Sequence, residues 1–427
     1  YEMDIEKEGE GKGEHAAVFE QDSKRNLPAD EKVVAAASPA EEGAISSPSL
    51  RSSPNTNSYM ITSLQSKDAA TSSSQGGIES QRSSSILKSR TTSYNVLTRI
   101  GEGTFGEVFK ATDAKTGQVV ALKRIRIPNA QQQGVPLSLI REIKGLTQLE
   151  DPHVIHLFDH FPQGSSVILV LEYMHTDLGQ VLARLADQGK SLSEAQIKTI
   201  MIMLLKGLAA VHKCNLMHRD LKPANLLLTQ KGILKLADFG LVRVVKEKRR
   251  KGGGDYTHEV ATRWYRAPEL LFGSRNYGQG VDLWAVGCIF GELMNHMPLF
   301  PGQNDIDQLS VIFESFGTPT DEQWPSMKDL PDFKKISFPV MQPTPPHKLL
   351  PSASKTALQL IRRLLAYDPD DRVAAHLALQ ERYFYSEPWP VHHLKLRGTI
   401  AAVQQLAAEK RNAVFEIDAP FNLEGLL

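Results

Sequence analysis

The chain has 427 residues, and its 49 lysines and arginines balance its 49 aspartates and glutamates, so the net charge is zero. That balance does not favour nucleic-acid binding or attachment to an anionic membrane surface. The apolar runs fall short of the roughly 18 residues that suggest a membrane span, so we expect no membrane insertion. Two cysteines are too few for a disulfide framework, which favours a reducing compartment.

Residues 1–92 are predicted to be a disordered, serine-rich extension. They have few aromatic residues and no sustained period, so they cannot bury enough apolar surface to offset the entropy of ordering. The stretch from Arg82 to Ser85 has two open interpretations, a phosphorylation site for a kinase that prefers basic sequences or an inert linker.

Beyond this extension the pattern predicts an α+β fold with two lobes. Short segments rich in Val, Ile, Thr and Phe predict antiparallel strands at 94–102, 106–112, 118–125, 154–160 and 167–173. Apolar residues at helical spacing predict helices at 136–149, 194–213, 281–295, 305–315, 354–366 and 374–381. The expected domain covers 93–388, with a sheet-rich lobe at 93–174, a larger helical lobe at 175–388 and a tail at 389–427.

A glycine-rich segment lies between the first two predicted strands. Gly101, Gly103 and Gly106 would allow backbone amides to approach phosphate oxygens closely. Dinucleotide-binding folds share this spacing, but there a helix follows, whereas here a strand follows that ends in Lys123. Because a charge at the end of an apolar strand is costly unless it is paired, we expect Glu142 on the next helix to contact Lys123.

The run from His218 to Asn225 matches the catalytic loop of protein kinases. Asp220 is expected to accept the proton of a substrate hydroxyl, and Lys222 to neutralise charge on the transferred phosphate. Asn225 and Asp238 are expected to bind a magnesium ion (Mg2+). Phosphoryl transfer depends mainly on positioning and charge neutralisation, which lysines, carboxylates and amides supply.

Later in the chain, three residues are predicted to stabilise the fold around this loop: Glu269, Asp282 and Arg372. Ala267-Pro268-Glu269 closes a segment typical of an activation loop. Glu269 is expected to form a salt bridge with Arg372. Asp282 is expected to brace the backbone of the catalytic loop.

Together these motifs resemble the eukaryotic protein kinases over about residues 94–390, and the resemblance implies the bilobal protein kinase fold with ATP and Mg2+ as cofactors. Two segments, 136–143 and 256–266, are similar to the cyclin-dependent kinase family. Thr257 matches the activating threonine of that family, and the segment lacks the Thr-x-Tyr pair of mitogen-activated kinases.

The resemblance also implies roles for single residues. Arg141, Arg219 and Arg243 match the family's phosphothreonine pocket, while Val260 and Arg266 match the pair that selects proline after the phosphoacceptor. The ATP site would comprise Ile100, Gly101, Glu102, Gly103, Thr104, Phe105, Gly106, Val108, Ala121, Lys123, Leu171, Glu172, Met174, Asp177, Leu227 and Asp238. Within it, Leu171 would guard the back of the pocket, the Glu172 carbonyl and Met174 amide would bind adenine, and Asp177 the ribose.

The partners implied by the resemblance are substrate proteins with Ser-Pro or Thr-Pro sites, a cyclin-like regulatory subunit and an upstream activating kinase. It also implies location in the cytoplasm and nucleus or in the cilium. A pseudokinase scaffold is the rival function. The intact set of Lys123, Glu142, Asp220, Asn225 and Asp238 argues against it.

Four features depart from the family pattern. The disordered N-terminal extension has no counterpart in the family's short founders, and the helix at 136–143 is not the family's exact cyclin-binding string. Val242 stands where alanine is usual. The basic, glycine-rich insertion at Lys246–Gly254 is either a surface loop or a docking site for an acidic partner. Residues 399–411 are predicted to form a short amphipathic helix, after which the tail packs across the domain, binds a partner or remains unstructured.

Overall fold

The computed structural model describes residues 93–103, 106–127, 135–245, 256–257 and 260–401. A five-stranded antiparallel sheet in the order β1-β2-β3-β5-β4 forms the smaller lobe. Its strands are β1 Tyr94–Gly103, β2 Gly106–Asp113, β3 Val119–Arg126, β4 Leu157–Gln163 and β5 Ser166–Glu172, and helix α1, Leu137–Gln148, lies between β3 and β4. The predicted α+β, two-lobed architecture is confirmed.

The alternation of β3 determines where Lys123 points. Val120 and Leu122 pack in one apolar cluster of the lobe, while Ile125 packs in a second cluster together with Leu139 of α1. Because successive side chains of a strand point to opposite faces, Lys123 shares the face of Ile125. The strand therefore directs the lysine towards α1.

The larger lobe is built around two buried helices, α3 and α5. Its helices are α2 Leu178–Asp187, α3 Glu194–Lys213, α4 Pro268–Leu271, α5 Gly280–Asn295, α6 Asp305–Phe316, α7 Pro346–Leu349, α8 Lys355–Leu364 and α9 Ala375–Ala378. Among the described residues, α3 is long and apolar enough for a membrane span, but 61% of the relevant window is buried inside the lobe. That burial is typical of a core helix.

Short strands position the catalytic segments within this lobe. They are β6 Thr176–Asp177, β7 Leu216–Met217, β8 Leu226–Leu228, β9 Leu234–Leu236 and β10 Arg243–Val244. The hairpin of β8 and β9 returns the chain from Asn225 to Asp238, as the spacing predicted. Pairing of β10 with β7 brings the start of the activation segment back beside the catalytic loop.

Several elements differ from the sequence prediction. The strand predicted at 154–160 begins later, at Leu157, because Val154 and Ile155 pair with Leu236 of the larger lobe instead. Helix α2 was not predicted, although Asp177 caps its first turn by accepting a hydrogen bond from the Gln180 amide. The helices predicted at 354–366 and 374–381 are also shorter than expected.

The chain beyond the last helix packs along α3. The Lys198 ammonium donates to the Ser386 carbonyl oxygen at 2.7 Å, and the Thr199 hydroxyl donates to the Val391 carbonyl oxygen at 2.7 Å. Ile400 is buried in the core of the lobe. Residues 397–401 are helical, and the rest of the predicted 399–411 helix lies outside the described residues, as do the 1–92 extension and the 246–254 insertion.

Candidate active site

Lys123 lies between two carboxylates that come from different elements. Its ammonium is 2.7 Å from Glu142 Oε1 on α1 and 3.2 Å from Asp238 Oδ1. Burial disfavours the charged form, but the two carboxylates outweigh it and raise the pKa of Lys123. The predicted contact between Lys123 and Glu142 is present, and the lysine remains cationic in the cleft.

Asp238 follows β9 in the left-handed backbone region, with φ of 63°. Burial works against its charge, while the Lys123 ammonium lowers the pKa below its ordinary value, so it is an anion. His218 lies behind it, where Nε2 donates to the Ala237 carbonyl oxygen at 3.0 Å and the imidazole meets the Phe239 ring edge-on with 4.8 Å between ring centroids. The catalytic loop and the segment of Asp238 are thereby packed together.

Asp220 is surrounded by hydrogen-bond donors. Lys222 Nζ and Asn225 Nδ2 donate to its Oδ2 at 2.9 Å each, and the Thr262 hydroxyl approaches its Oδ1 at 3.5 Å. Lys222 also donates to Thr262 at 3.1 Å. The catalytic loop and the end of the activation segment therefore converge on one carboxylate.

Asp282, at the start of α5, accepts hydrogen bonds from the catalytic-loop backbone. The amides of His218 and Arg219 donate to its two oxygens at 2.9 and 2.8 Å, and His212 Nε2 lies 2.9 Å from Oδ2. Burial opposes the charge, but the His212 hydrogen bond and the backbone donors keep the pKa of Asp282 below its ordinary value. The predicted brace is present, and it holds Arg219 at φ 69°.

The predicted salt bridge between Glu269 and Arg372 is also present. The guanidinium donates to both carboxylate oxygens at 2.7 Å, which is the bidentate geometry of a strong pair. It lies beneath the activation segment rather than in the cleft.

The predicted adenine site lies where the sheet meets the larger lobe. Strand register places Ala121 opposite Leu171 and Asp177 opposite Leu227, and Met174 is buried nearby in the core of the larger lobe. Burial raises the pKa of Asp177, although its carboxylate caps α2.

The glycine-rich turn is described only in part. Ile100, Gly101, Glu102 and Val108 lie in the β1–β2 ladder, whereas Thr104 and Phe105 lie outside the described residues. Gly103 pairs with Gly106 at the end of that ladder. A Cβ at Gly106 would collide with the Arg124 carbonyl oxygen, and its φ of +146° also favours glycine. This glycine is required by strand packing as well as by the predicted approach to phosphate.

The three arginines predicted to bind a phosphothreonine interact electrostatically. Burial and the positive charges of Arg219 and Arg141 lower the pKa of Arg243 to about 10. Arg219 donates to the Tyr277 hydroxyl at 2.6 Å, and that hydroxyl donates to the Thr257 carbonyl oxygen at 2.6 Å. Thr257 itself is exposed.

Four site residues were missed from the sequence. They are Lys235, Thr262, Tyr277 and Asp305. Lys235 binds the Glu172 carboxylate at 2.7 Å, and its place within an apolar strand was a signal, because a buried charge needs a partner. The other three contact partners that are distant in the chain, so no local sequence pattern indicates them.

The residues present fit a nucleotide with a divalent cation. Asn225 uses its Nδ2 atom on Asp220, which leaves the amide oxygen for a cation beside the anionic Asp238. Amide and carboxylate oxygens are ligands that Mg2+ prefers. Lys123, whose ammonium lies 3.2 Å from Asp238, supplies a positive charge for phosphate oxygens.

Comparison with known proteins agrees with this geometry. Residues 94–384 match the protein kinase domain family. Cyclin-dependent kinase 20 of Danio rerio is 48% identical over 304 residues, covering 71% of this chain and 86% of the relative. Cyclin-dependent kinase D-1 of Arabidopsis thaliana is 44% identical over 322 residues, covering 75% of this chain and 78% of the relative.

A solved structure is also similar. A chain in the structure of the CAK complex from Chaetomium thermophilum bound to ATP-gamma-S has a TM-score of 0.65 and 32% identity, covering 73% of this chain and 96% of that chain. Cyclin-dependent kinase 20 is the cell-cycle-related kinase, the family member that the sequence segments 279–284, 330–338 and 415–418 together resemble. The predicted membership in the protein kinase family, and within it in the cyclin-dependent kinase family, is therefore confirmed.

Proposed function

We propose a detailed function from one premise: the chain belongs to the protein kinase family, in its cyclin-dependent kinase branch, and is an ATP-dependent serine/threonine kinase. The proposal is that it phosphorylates Ser-Pro and Thr-Pro sites and is activated by phosphorylation of Thr257 and by a cyclin-like partner. The observation that carries the chemistry is the convergence of Lys222, Asn225 and Thr262 on Asp220.

Asp220 orients the substrate hydroxyl and accepts its proton. Lys222, held 2.9 Å from Asp220, neutralises charge that develops on the transferred group. Lys123 orients the nucleotide phosphates, since Glu142 and Asp238 fix its ammonium. A magnesium ion held by Asn225 and Asp238 would neutralise phosphate charge.

Selection of proline is supported by the backbone at Val260. The Arg266 Nε atom donates to the Val260 carbonyl oxygen at 3.0 Å, so this acceptor is already used. A substrate residue with an amide hydrogen would leave that donor unpaired, which is costly, whereas proline has none.

Activation through Thr257 is supported by the arginine cluster. A phosphate there would carry about −1.5 to −2 charges beside Arg141, Arg219 and Arg243, whose mutual repulsion it would relieve. Tyr256, by contrast, is buried and donates its hydroxyl to the Val244 carbonyl oxygen. We therefore expect phosphate on Thr257 alone within this segment, and a requirement for phosphate on Tyr256 would favour the mitogen-activated type.

A cyclin-like partner is supported by the start of α1. Val135 and Leu137 are 49% and 63% exposed although both are apolar. A partner that covers them would also hold Glu142 against Lys123, because Glu142 lies on the same helix.

The test is magnesium-ATP turnover on a Ser-Pro peptide. We expect Asp220→Asn to lower phosphate incorporation by about a hundred- to ten-thousandfold, because it removes the proton acceptor. Asp187→Asn, at an exposed aspartate on α2, should leave the rate unchanged. Equal incorporation by the natural chain and Asp220→Asn would show a scaffold instead of an enzyme.

A further inference from the structure

The Arg266 guanidinium is engaged on all three of its nitrogens. Nε donates to the Val260 carbonyl oxygen at 3.0 Å and Nη2 to the Ala261 carbonyl oxygen at 3.2 Å. Nη1 donates to both carboxylate oxygens of Asp305, at 3.0 and 3.1 Å. The Arg266 side chain is only 12% exposed, so Asp305 is the anion that balances a largely buried charge.

The backbone that Arg266 binds is strained. Ala261 has a φ of 65°, a region that non-glycine residues adopt at a cost. Because both carbonyl groups flanking this peptide accept from one guanidinium, Arg266 holds the strained conformation. It also keeps the Val260 carbonyl oxygen turned towards the protein and away from a substrate.

Asp305 is itself firmly placed. It is the first residue of α6, directly after Asn304, whose side chain accepts from the amides of Ile306 and Asp307. Arg263 binds the same Asp305 oxygen at 3.1 Å. The start of a capped helix thus presents a carboxylate to the strained segment.

We propose that Asp305 is the positioning residue that sets the preference for proline after the phosphoacceptor, an inference that rests on the proposed proline selectivity. Without this carboxylate the Arg266 Nη1 atom loses both of its acceptors, and the guanidinium is held only by its hydrogen bonds to the two carbonyl groups. The Val260 carbonyl oxygen can then relax and accept from a substrate amide. Proline offers no such donor, so relaxation of the site improves the binding of other residues but not of proline.

This mechanism predicts an asymmetric change in kcat/KM. Asp305→Asn should raise kcat/KM for a Ser-Ala peptide, while kcat/KM for the matched Ser-Pro peptide changes little or falls. A purely structural role would lower both together. The ratio of the two kcat/KM values is therefore the readout.

The experiment measures that ratio with full-length enzyme. We expect the wild type to prefer Ser-Pro by at least about tenfold, and Asp305→Asn to reduce the ratio by about three- to tenfold, as for loss of one hydrogen bond of ordinary strength at a partly exposed carboxylate. The matched control is Asp307→Asn, two residues along α6, whose carboxylate accepts from the Gln303 amide. Its ratio should equal that of the wild type.

Two further variants test the same role if Asp305→Asn fails to fold. Asp305→Glu keeps the carboxylate and should keep most of the preference. Arg266→Lys keeps the charge but cannot form the planar fork of hydrogen bonds, so this variant should lose the preference for proline. An unchanged ratio in Asp305→Asn, or an equal loss of kcat/KM on both peptides, would overturn the role of Asp305 but leave the proposed proline selectivity standing. A wild-type ratio near one would overturn the proposed proline selectivity together with the role of Asp305.

Discussion

Two ion pairs of similar chemistry serve different purposes in this molecule. Arg372 and Glu269 have side chains that are 0% and 3% exposed, and Arg372 also donates to three backbone carbonyl groups. Lys123 and Glu142 are 15% and 5% exposed, and their third partner, Asp238, belongs to the larger lobe. The first pair is enclosed by backbone, whereas the second joins three elements from two lobes.

Burial alone therefore does not identify a catalytic charge. What distinguishes the cleft is that its charges come from β3, α1 and the segment after β9. Such a pair depends on the position of each element, so it can report activation. A pair enclosed within one lobe contributes to stability whatever the state of the cleft.

The largest expected effect is on the enclosed pair. Arg372→Leu leaves Glu269 buried without a partner, so we expect the free energy of unfolding to fall by about 3–5 kcal/mol. Urea denaturation measures this loss, and turnover per folded molecule should be retained. The double variant Arg372→Leu, Glu269→Leu should recover part of the stability. A large fall in turnover with unchanged stability would reverse our assignment of the two pairs.

A comparable effect, on rate instead of stability, is expected in the cleft. Lys123→Met should lower kcat by about a hundred- to a thousandfold, or ~2.7–4 kcal/mol, because a preorganised charge is removed. Its free energy of unfolding should fall by less than that of Arg372→Leu, because Lys123 and Asp238 are 15% and 32% exposed in the cleft, so solvent can reach the charges that remain. Initial rates and urea denaturation of the same preparation would show the contrast. Equal losses of stability in Lys123→Met and Arg372→Leu would contradict the contrast between the two ion pairs.

The smallest effect should change sign with phosphorylation. Arg243→Gln removes one of three repelling charges, and because Arg243 is partly exposed we expect at most about 0.5 kcal/mol of added stability in the unphosphorylated chain. With phosphate on Thr257 the same variant should be less stable than the wild type, since an attractive partner is lost. Thermal melts of both forms measure this reversal. The same sign in both would mean that Arg243 does not face the phosphate.

The sequence predicted the parts of the site that lie in continuous segments. Asp220, Lys222 and Asn225 occur within one loop, and the contact between Lys123 and Glu142 followed from the cost of a lone charge in an apolar strand. Residues such as Tyr277 and Asp305 could not be predicted, because their partners are distant in the chain and only the packing of the lobe brings them together.

The elements show the same limit. Helix α1 was predicted within a residue at each end because its apolar spacing is local. The start of β4 was wrong because Val154 and Ile155 meet a strand some 80 residues later, Leu236, and no local pattern reports that competition.

The stretch that packs along α3 has a practical consequence for anyone who trims this chain. The match to the kinase domain family ends at residue 384, yet the Lys198 ammonium, on a residue that is 0% exposed, donates to the carbonyl oxygen of Ser386. A protein cut at the family boundary would lose both oxygens of Ser386 that accept from this ammonium group, and it would expose the apolar surface that Ile400 covers. Expression designs should therefore extend at least through residue 401.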